Sequence, residues 1–237
     1  MNPVEIRDLC FKYLEDEDNI LDGINIEIQK GEIFAILGLS GCGKSTLCYC
    51  ICGIIPHVYE GFLKGEVLIS GRPVSDLKLP NISTKVGIIF QDPDTQLFSP
   101  TVEDEIAFGP ENLCLDRLEI GRRIEESLRT VNMEKYRLEH PENLSGGEKQ
   151  LIAIATVLAL KPEIIIFDES LSQIDSEGKK RLKQTVLKLR NDGKTIIMVE
   201  HDIDNLDIAD RVYFMRDGKL KGIDKTKTGD IFGFYKV

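Results

Sequence analysis

A glycine-rich segment near the start of the chain has the residue types and the spacing needed to bind a phosphate group. It reads Gly38-Leu-Ser-Gly-Cys-Gly-Lys-Ser-Thr46 and follows the apolar run at residues 33–37. Glycines let successive backbone N–H groups curve around an anion, and a following helix directs its positive end at the same point. Lys44 can neutralise β- and γ-phosphate charge, and the Ser45 hydroxyl can ligate Mg²⁺. The segment predicts a nucleotide site between a buried strand and a helix.

Further polar residues stand directly after apolar runs that read as buried strands. Asp168 and Glu169 follow residues 163–167, and His201 comes soon after residues 195–199. Open α/β sheets bind ligands at the carboxyl ends of their strands. One carboxylate there can hold Mg²⁺ through water while its neighbour orients an attacking water, and His201 is a candidate γ-phosphate contact. Gln91, after residues 85–90, either reaches Mg²⁺ or the water or is an ordinary loop residue.

Two more segments offer binding groups without deciding their use. Ser145, Gly146 and Gly147 precede the apolar helix predicted at residues 151–160, so they form either an anion-binding helix start or a plain cap. Tyr13, before the acidic loop at residues 15–18, is either a core residue of an edge strand or a stacking platform for a base.

The elements that must position these residues are strands and helices in turn. Alternating strands are expected at residues 4–9 and 24–30, a helical insert at 101–135 with Thr101 as N-cap and Asp104 three residues later, and a basic amphipathic helix at 178–190. The insert separates two β-rich regions and is predicted to form a subdomain.

Composition narrows the class of protein. The 237 residues are 42% hydrophobic and 30% charged, with a formal net charge of -10. No apolar stretch approaches the ~18 residues of a membrane span, and the first residues lack the pattern of a signal peptide. The negative charge disfavours non-specific nucleic-acid binding and adsorption to anionic lipid, so we expect any membrane association to run through a protein partner. The six cysteines favour reduced thiols in the cytosol, and Cys48, Cys50 and Cys52 favour buried small residues over a metal site.

Taken in order, these motifs resemble the nucleotide-binding subunit of ABC transporters along essentially the whole chain. Residues 38–46 match the Walker A motif, Gln91 the Q-loop, residues 144–148 the signature, residues 164–169 Walker B with its catalytic Glu, Asp175 the D-loop and His201 the switch. Residues 53–61, 90–98 and 101–112 resemble the energy-coupling factor (ECF) branch, which imports vitamins and cobalt or nickel ions.

The resemblance implies an α/β fold of the P-loop NTPase type, with a RecA-like core, an N-terminal antiparallel β subdomain and a helical subdomain. It implies one ABC ATPase domain over residues 1–237, with the β-rich part and core at about 1–92 and 156–237 and the helical subdomain at about 93–155. The expected partners are a transmembrane coupling subunit, a substrate-binding membrane subunit and a second ABC ATPase, at the cytoplasmic face of the cell membrane and without nucleic acid.

The resemblance also assigns residue roles for ATP and Mg²⁺. Two such domains face each other head to tail, so each ATP lies between one Walker A and the other chain's signature. Glu169 is then the general base, His201 holds the γ-phosphate and water, and Gln91 and Lys44 complete the catalytic set. Ser45, Gln91 and Asp168 are the expected metal-site residues. The expected nucleotide contacts are Tyr13, Gly38, Ser40, Gly41, Cys42, Gly43, Lys44, Ser45, Thr46, Ser145, Gly146, Gly147 and Asp175.

The chain departs from the family pattern at three positions. Ser170 and Gln173 replace a usual Pro and Gly before Asp175, and Leu151 stands where an Arg usually follows the signature. The alternatives to an ECF ATPase are the ATPase of another ABC importer or exporter, a soluble ABC protein acting on DNA or ribosomes, and a regulatory cassette without turnover.

Two hypotheses concern this chain in particular. Cys42 lies at a helix N-terminus that favours thiolate, so we expect alkylation there to block nucleotide binding. Five acidic residues are expected to form a surface that receives basic helices of the membrane subunit, with a solvated acidic face as the alternative: Asp92, Asp94, Glu103, Asp104 and Glu105.

Overall fold

The computed structural model describes residues 1–172 and 174–223, and these form two β-sheets with helices packed around them. The strands are β1 Val4–Lys12, β2 Leu21–Ile28, β3 Ile33–Gly38, β4 Phe62–Ile69, β5 Arg72–Pro73, β6 Val86–Ile89, β7 Ile164–Asp168, β8 Thr195–Glu200, β9 Arg211–Arg216 and β10 Lys219–Ile223. The helices are α1 Lys44–Ile51, α2 Ile54–His57, α3 Leu79–Ser83, α4 Val102–Asn112, α5 Arg117–Val131, α6 Gly146–Leu158 and α7 Ser176–Asn191.

The larger sheet has the strand order β10-β9-β3-β8-β7-β6, and its pairs are parallel except for β10 with β9. Strands β3, β7 and β8 are buried at every residue. Their runs of Ile, Val, Leu and Phe suit a strand covered on both faces, and a separate apolar cluster packs on each face. Because these strands are parallel, the polar residues that follow them meet at one edge of the sheet.

The smaller sheet is antiparallel, with the order β2-β1-β4-β5. Alternate residues of β2 are buried, as expected for a sheet with one face on the core. Its buried residues share an apolar cluster with α1 and with one face of the larger sheet. This sheet therefore holds Tyr13, which follows β1, on the same side of the molecule as the glycine-rich loop.

The segment between β6 and β7 carries α4, α5 and α6, where the sequence predicts helix from residue 101 to 135. Thr101 caps α4 as expected, since its Oγ1 accepts from the Asp104 N–H at 3.1 Å. The predicted insert is divided, because Asp116 caps a new helix by accepting from the N–H groups of Leu118 and Glu119. In the described ranges no helix is both long and apolar enough to cross a membrane.

Candidate nucleotide-binding and catalytic site

The glycine-rich loop joins the carboxyl end of β3 to the first turn of α1. Gly41 and Gly43 have φ of +79° and +104°, which side chains other than glycine's rarely allow. A Cβ on Gly38 would lie 2.6 Å from the Met215 carbonyl oxygen and 2.8 Å from Cys42 Sγ. The loop therefore packs tightly against β9 on its inner side, while Ser40 and Gly41 are exposed on its outer side.

The side chain of Lys44 folds back across this loop and is only 3% exposed. Its Nζ donates to the carbonyl oxygens of Gly38 and Leu39 at 2.9 and 2.8 Å. The third contact is an ion pair with Glu169, whose Oε1 lies 3.1 Å away. All three protons of the ammonium thus have acceptors within the chain.

Glu169 links this lysine to the residue that follows β8. Its second oxygen, Oε2, lies 3.3 Å from Nδ1 of His201. The backbone of Glu169 has φ of +50°, in the left-handed region, and its N–H donates to the Val199 carbonyl at 2.9 Å. A carboxylate is therefore held between an ammonium and an imidazole at the edge of the sheet.

Asp168 precedes Glu169 and is buried, with 5% exposure. Burial raises the pKa of its carboxyl, a hydrogen bond with Ser45 lowers it, and the nearby Glu169 charge raises it. Its Oδ1 has no hydrogen-bond partner among the described residues. A buried carboxylate oxygen beside a hydroxyl is the oxygen-rich setting that Mg²⁺ prefers, so these residues fit that ion.

Gln91 follows β6 and reaches the same edge from the other side. Its Nε2 donates to Ser172 Oγ at 3.3 Å, and that hydroxyl donates to the Glu169 carbonyl at 2.7 Å. Ser172 therefore connects Gln91 to the turn that carries Glu169. In the sequence, only the place of Ser172 three residues after Glu169 indicates this contact.

The segment at residues 145–147 starts α6 and does not join the Lys44 cluster. Ser145 and Glu148 form a reciprocal capping box, and Tyr136 OH donates to Glu148. A cavity of about 400 Å³ lies between the starts of α6 and α7, lined by Ser145, Gly146, Gly147, Glu148, Leu151, Ile174, Asp175, Glu177, Gly178 and Arg181. Asp175 caps α7, since its Oδ1 accepts from the Gly178 N–H at 2.7 Å.

Tyr13 is half-buried after β1 and packs edge-on against Phe11 with ring centroids 4.9 Å apart. Its ring is thus partly core, and part of it is left uncovered. Ser45 and Thr46 are half-buried in the first turn of α1. The structure brings Lys44, Ser45, Gln91, Asp168, Glu169 and His201 to one edge, and leaves Ser145, Gly146, Gly147 and Asp175 on another surface.

Comparison with known proteins shows which family the chain is similar to. A family model described as ABC transporter matches residues 21–172.

The chain belongs to the ABC transporter family.

The relatives of this chain include a putative ABC transporter ATP-binding protein and an ECF transporter ATP-binding protein. The chain is 45% identical over 219 residues to a putative ABC transporter ATP-binding protein of Methanosarcina mazei, covering 92% of this chain and 38% of that protein. It is 42% identical over 233 residues to the energy-coupling factor transporter ATP-binding protein EcfA of Methanocaldococcus jannaschii, covering 96% and 81%. The chain thus spans little more than a third of the Methanosarcina relative.

Two solved structures of this family resemble the chain over nearly all of its length. The structure of cbiO1 from Clostridium perfringens, described as part of the ABC transporter complex cbiONQ, superposes with a TM-score of 0.85 at 29% identity over 100% of this chain and 99% of that one. The dimeric cassette MJ0796 gives 0.78 at 26% identity over 93% and 99%. The predicted ABC fold and the resemblance to ECF ATPases are confirmed.

Two expectations about this ABC ATPase domain need correction. Burial raises the pKa of the Cys42 thiol more than the nearby Lys44 charge lowers it, so the helix start does not favour thiolate; the block of nucleotide binding by alkylation stays a prediction. The expected acidic surface loses one of its five residues. Glu105 is buried at 1% exposure and accepts from the N–H groups of Phe98 and Ser99, so it belongs to the core of the segment.

The other acidic residues of that predicted surface have partners too. Glu103 forms a two-pronged pair with Arg137 at 2.8 Å, and Arg137 lowers the pKa of Glu103. Asp94 pairs with Lys149 at 2.6 Å. Asp92 caps the turn Pro93–Thr95, and Asp104 accepts from the Thr101 hydroxyl. Asp94 is 66% exposed in its pair and Asp104 is also exposed, so contact of this surface with a membrane subunit stays a prediction.

Proposed function

We propose that the chain is the ATP-hydrolysing subunit of an ECF-type importer for a vitamin or a transition-metal ion. It works as one of two ABC ATPases that close on ATP, at the cytoplasmic face of the membrane. The observation that carries the proposal is the cluster in which Glu169 bridges Lys44 and His201, 3.1 and 3.3 Å away. Such a cluster supplies a cation for phosphate and a base for water.

We expect a triphosphate to bind by replacing one of the acceptors that Lys44 has in the structure. Lys44 has three acceptors, and only Glu169 is a side chain able to move away. A triphosphate entering the loop offers oxygens that take the place of Glu169 on the ammonium. The exchange leaves the Glu169 carboxylate available to accept a proton from a water molecule, and His201 beside it available for the γ-phosphate.

Mg²⁺ would be held by Ser45 and Asp168, with Gln91 reaching the same edge. The orphaned Oδ1 of Asp168 supports this assignment. When bound, the ion neutralises phosphate charge and orients the phosphates for attack. Gln91 touches the turn of Glu169 through Ser172, so it can report the state of the site to the loop at residues 92–99.

The surface around residues 145–147 is an argument for a second ABC ATPase as partner. No residue from 38–46 is among those that line its cavity, and a Cβ on Gly146 would meet nothing within 4 Å. The helix start beside Gly146 therefore adjoins open space, where another chain's nucleotide can bind. Tyr13 is proposed to stack on the base, and the remaining predicted contacts keep their roles: Gly38, Ser40, Gly41, Cys42, Gly43 and Thr46 along the phosphates, with Ser145, Gly146, Gly147 and Asp175 across the dimer.

An apolar groove supports a transmembrane coupling subunit as partner. It has a volume of about 460 Å³ between β6, α3, α4 and α6, and its walls include Leu79, Ile88, Leu113 and Leu160. Phe98 and Phe108 form an edge-on pair nearby in the chain and are 67% and 47% exposed. Exposed apolar surface of this kind is typical of a protein interface. A substrate-binding membrane subunit completes the proposed importer.

Two measurements test the proposal together. The purified chain is assayed for Mg²⁺-dependent release of phosphate from ATP, with Glu169→Gln as the inactive comparison. The chain is also captured from native membranes in mild detergent, and co-purifying proteins are identified by mass spectrometry. A helical coupling protein and a substrate-binding membrane protein support the ECF function. An exporter's membrane domain, or ribosomal proteins and nucleic acid, would overturn it in favour of another ABC function.

A further inference from the structure

Among the described residues, three buried side-chain oxygen or nitrogen atoms have no hydrogen-bond partner, and they belong to Asp168, Ser170 and Glu200. All three lie at the carboxyl ends of β7 and β8. The magnesium site accounts for Asp168. Glu200 has no role so far, although it is 0% exposed and directly precedes His201. A buried carboxyl group is costly to fold, so its presence calls for a reason.

The carboxyl of Glu200 is hydrogen-bonded to the turn that follows His201. Its Oε2 accepts from Asn205 Nδ2 at 3.0 Å, and Asn205 is itself 2% exposed in the turn Ile203–Leu206 after His201. The backbone N–H of Leu171, two residues after Glu169, lowers the pKa of Glu200, while Oε1 itself has no hydrogen-bond partner among the described residues. Glu169 and Lys179 are the other charged groups that act on it.

We infer that Glu200 is a positioning residue, which holds the turn after His201 in one arrangement and so sets the orientation of His201 toward Glu169. The inference rests on the proposed ATPase function. Glu169 and His201 come from two different strands, and their 3.3 Å contact depends on how the turns after those strands are held. The backbone bond from Glu169 to Val199 fixes where the turns start. The bond from Asn205 to Glu200 fixes how the turn after His201 continues.

These contacts would have no explanation if the side chain of Glu200 only filled space in the core. The residues before it in β8, Val199 and Met198, are apolar and equally buried, and another apolar side chain would occupy the space without a desolvation penalty. Asn205 is likewise a buried polar residue whose amide is directed at Glu200. A buried hydrogen bond between polar groups across a turn favours one geometry of that turn.

The test compares Glu200→Ala, Glu200→Asp, Glu200→Gln and Asn205→Ala in the full purified chain. Steady-state ATP hydrolysis gives kcat and KM, and a fluorescent nucleotide analogue gives Kd. We expect Ala and Asp at position 200 to lower kcat about tenfold while Kd stays within about twofold, since misplaced catalytic groups slow chemistry more than binding. Gln keeps a planar amide of the same length, and once the Asn205 amide turns it can keep the hydrogen bond to Asn205, so kcat is expected within about threefold of wild type.

Coupling between the two residues gives a second readout. Asn205→Ala is expected to lower kcat to a similar extent, and the double variant with Glu200→Ala no further. Glu32→Ala is the matched control, because Glu32 is also a buried carboxylate but lies at the opposite end of β3 and pairs with Arg211. It is expected to lower the melting temperature and leave kcat unchanged.

Each failure has a distinct meaning. An inactive wild-type chain overturns the proposed function and this inference with it. An active wild type with unchanged kcat in folded Glu200→Ala, or with kcat and nucleotide affinity falling in parallel, overturns the positioning role alone. If Glu200→Ala does not fold, Glu200→Asp and Asn205→Ala decide by the same criteria.

Discussion

The ammonium of Lys44 and the carboxylate of Glu169 form an ion pair with 3.1 Å between Nζ and Oε1, and the two side chains are only 3% and 14% exposed. The same carboxylate touches His201 through its other oxygen. One acidic group thus occupies the cation and the imidazole at the same time. In the proposed mechanism a triphosphate replaces the first of these contacts, which ties substrate entry to release of the proposed base.

Replacing Glu169 by Gln separates binding from hydrolysis. The amide still accepts from Lys44 but cannot take a proton from water, so we expect hydrolysis to fall at least about 100-fold. ATP should bind as tightly as to wild type or more tightly, because a negative charge beside the phosphates is gone. Phosphate release and fluorescent-nucleotide titration measure the two effects. Glu163→Gln, at the exposed opposite end of β7, is the control and should match wild type. A Gln variant that hydrolyses ATP normally would rule out Glu169 as the base.

Gly146→Ala tests whether the start of α6 meets a nucleotide held by another chain. Because a Cβ there meets nothing within 4 Å, the fold and ATP binding to one chain should be unaffected. ATP-dependent dimerisation and hydrolysis are expected to fall about tenfold if the added methyl meets phosphate across the dimer. Light scattering with ATP in the Glu169→Gln background measures the dimer. Gly121→Ala is the control, since that glycine also faces open space in α5. Equal activity of both variants would argue against the shared site.

Thiol labelling separates Cys42 from the exposed Cys114. Burial raises the pKa of Cys42, so at pH 7 it should react with maleimide more slowly than Cys114. Modified Cys42 should lose nucleotide binding, because its sulfur packs against Gly38 inside the phosphate loop. Mass spectrometry follows each site, and ATP should protect Cys42 but not Cys114. Full labelling at Cys42 with unchanged ATP binding would contradict this account.

Glu105→Ala should destabilise the helical segment. The change leaves the N–H groups of Phe98 and Ser99 without their acceptor, and each buried unpaired donor costs about 1–3 kcal/mol. We expect the free energy of unfolding in urea to fall by about 2–4 kcal/mol. Glu111→Ala, on an exposed position of the same helix, should change it by less than about 0.5 kcal/mol. Equal stability of the two variants would mean that Glu105 does not hold this turn.

The pH dependence of stability should carry the signature of Glu200. Burial, opposed by the Asn205 hydrogen bond, raises its pKa from an ordinary 4.5 to about 7. The folded state therefore holds this proton more firmly than the unfolded state, and stability declines as pH rises from about 4.5 to about 7. Relative to Glu200→Gln, the free energy of unfolding should fall by about 3 kcal/mol over that window and then level off. Denaturation curves at pH 5, 6, 7 and 8 measure it, and parallel pH profiles of the two proteins would refute the assignment.

The buried strands and the loops after them could be predicted from the sequence, because uninterrupted apolar runs have few other structures available. Residues 163–167 and 195–199 are found as β7 and β8 with shifts of one residue at their ends. The start of α4 could also be predicted from the sequence, because Thr101 and Asp104 carry a local capping signal. Predictions that depend on one short segment were therefore dependable.

Which individual polar residues are buried could not be predicted from the sequence. Glu103, Asp104 and Glu105 are adjacent acidic residues in one helical turn, yet the first pairs with Arg137, the second with the cap and the third with a buried loop. Glu200 stands at the end of an apolar run, where exposure was the simpler expectation. The partner of Glu103 is 34 residues away, whereas those of Asp104, Glu105 and Glu200 lie within seven residues. Spacing alone does not show which acidic side chain turns inward and which stays at the surface.

The strand order of the larger sheet has a consequence for how the chain reaches its native state. Strand β3, at residues 33–38, carries the phosphate loop, but its two neighbours are β8 and β9, at residues 195–216. During synthesis this wholly apolar strand therefore stays unpaired until most of the chain has been made. Long-range pairing of this kind slows folding and leaves strand edges exposed to aggregation. Nascent chains that end before β8 should accordingly be strong clients for chaperones.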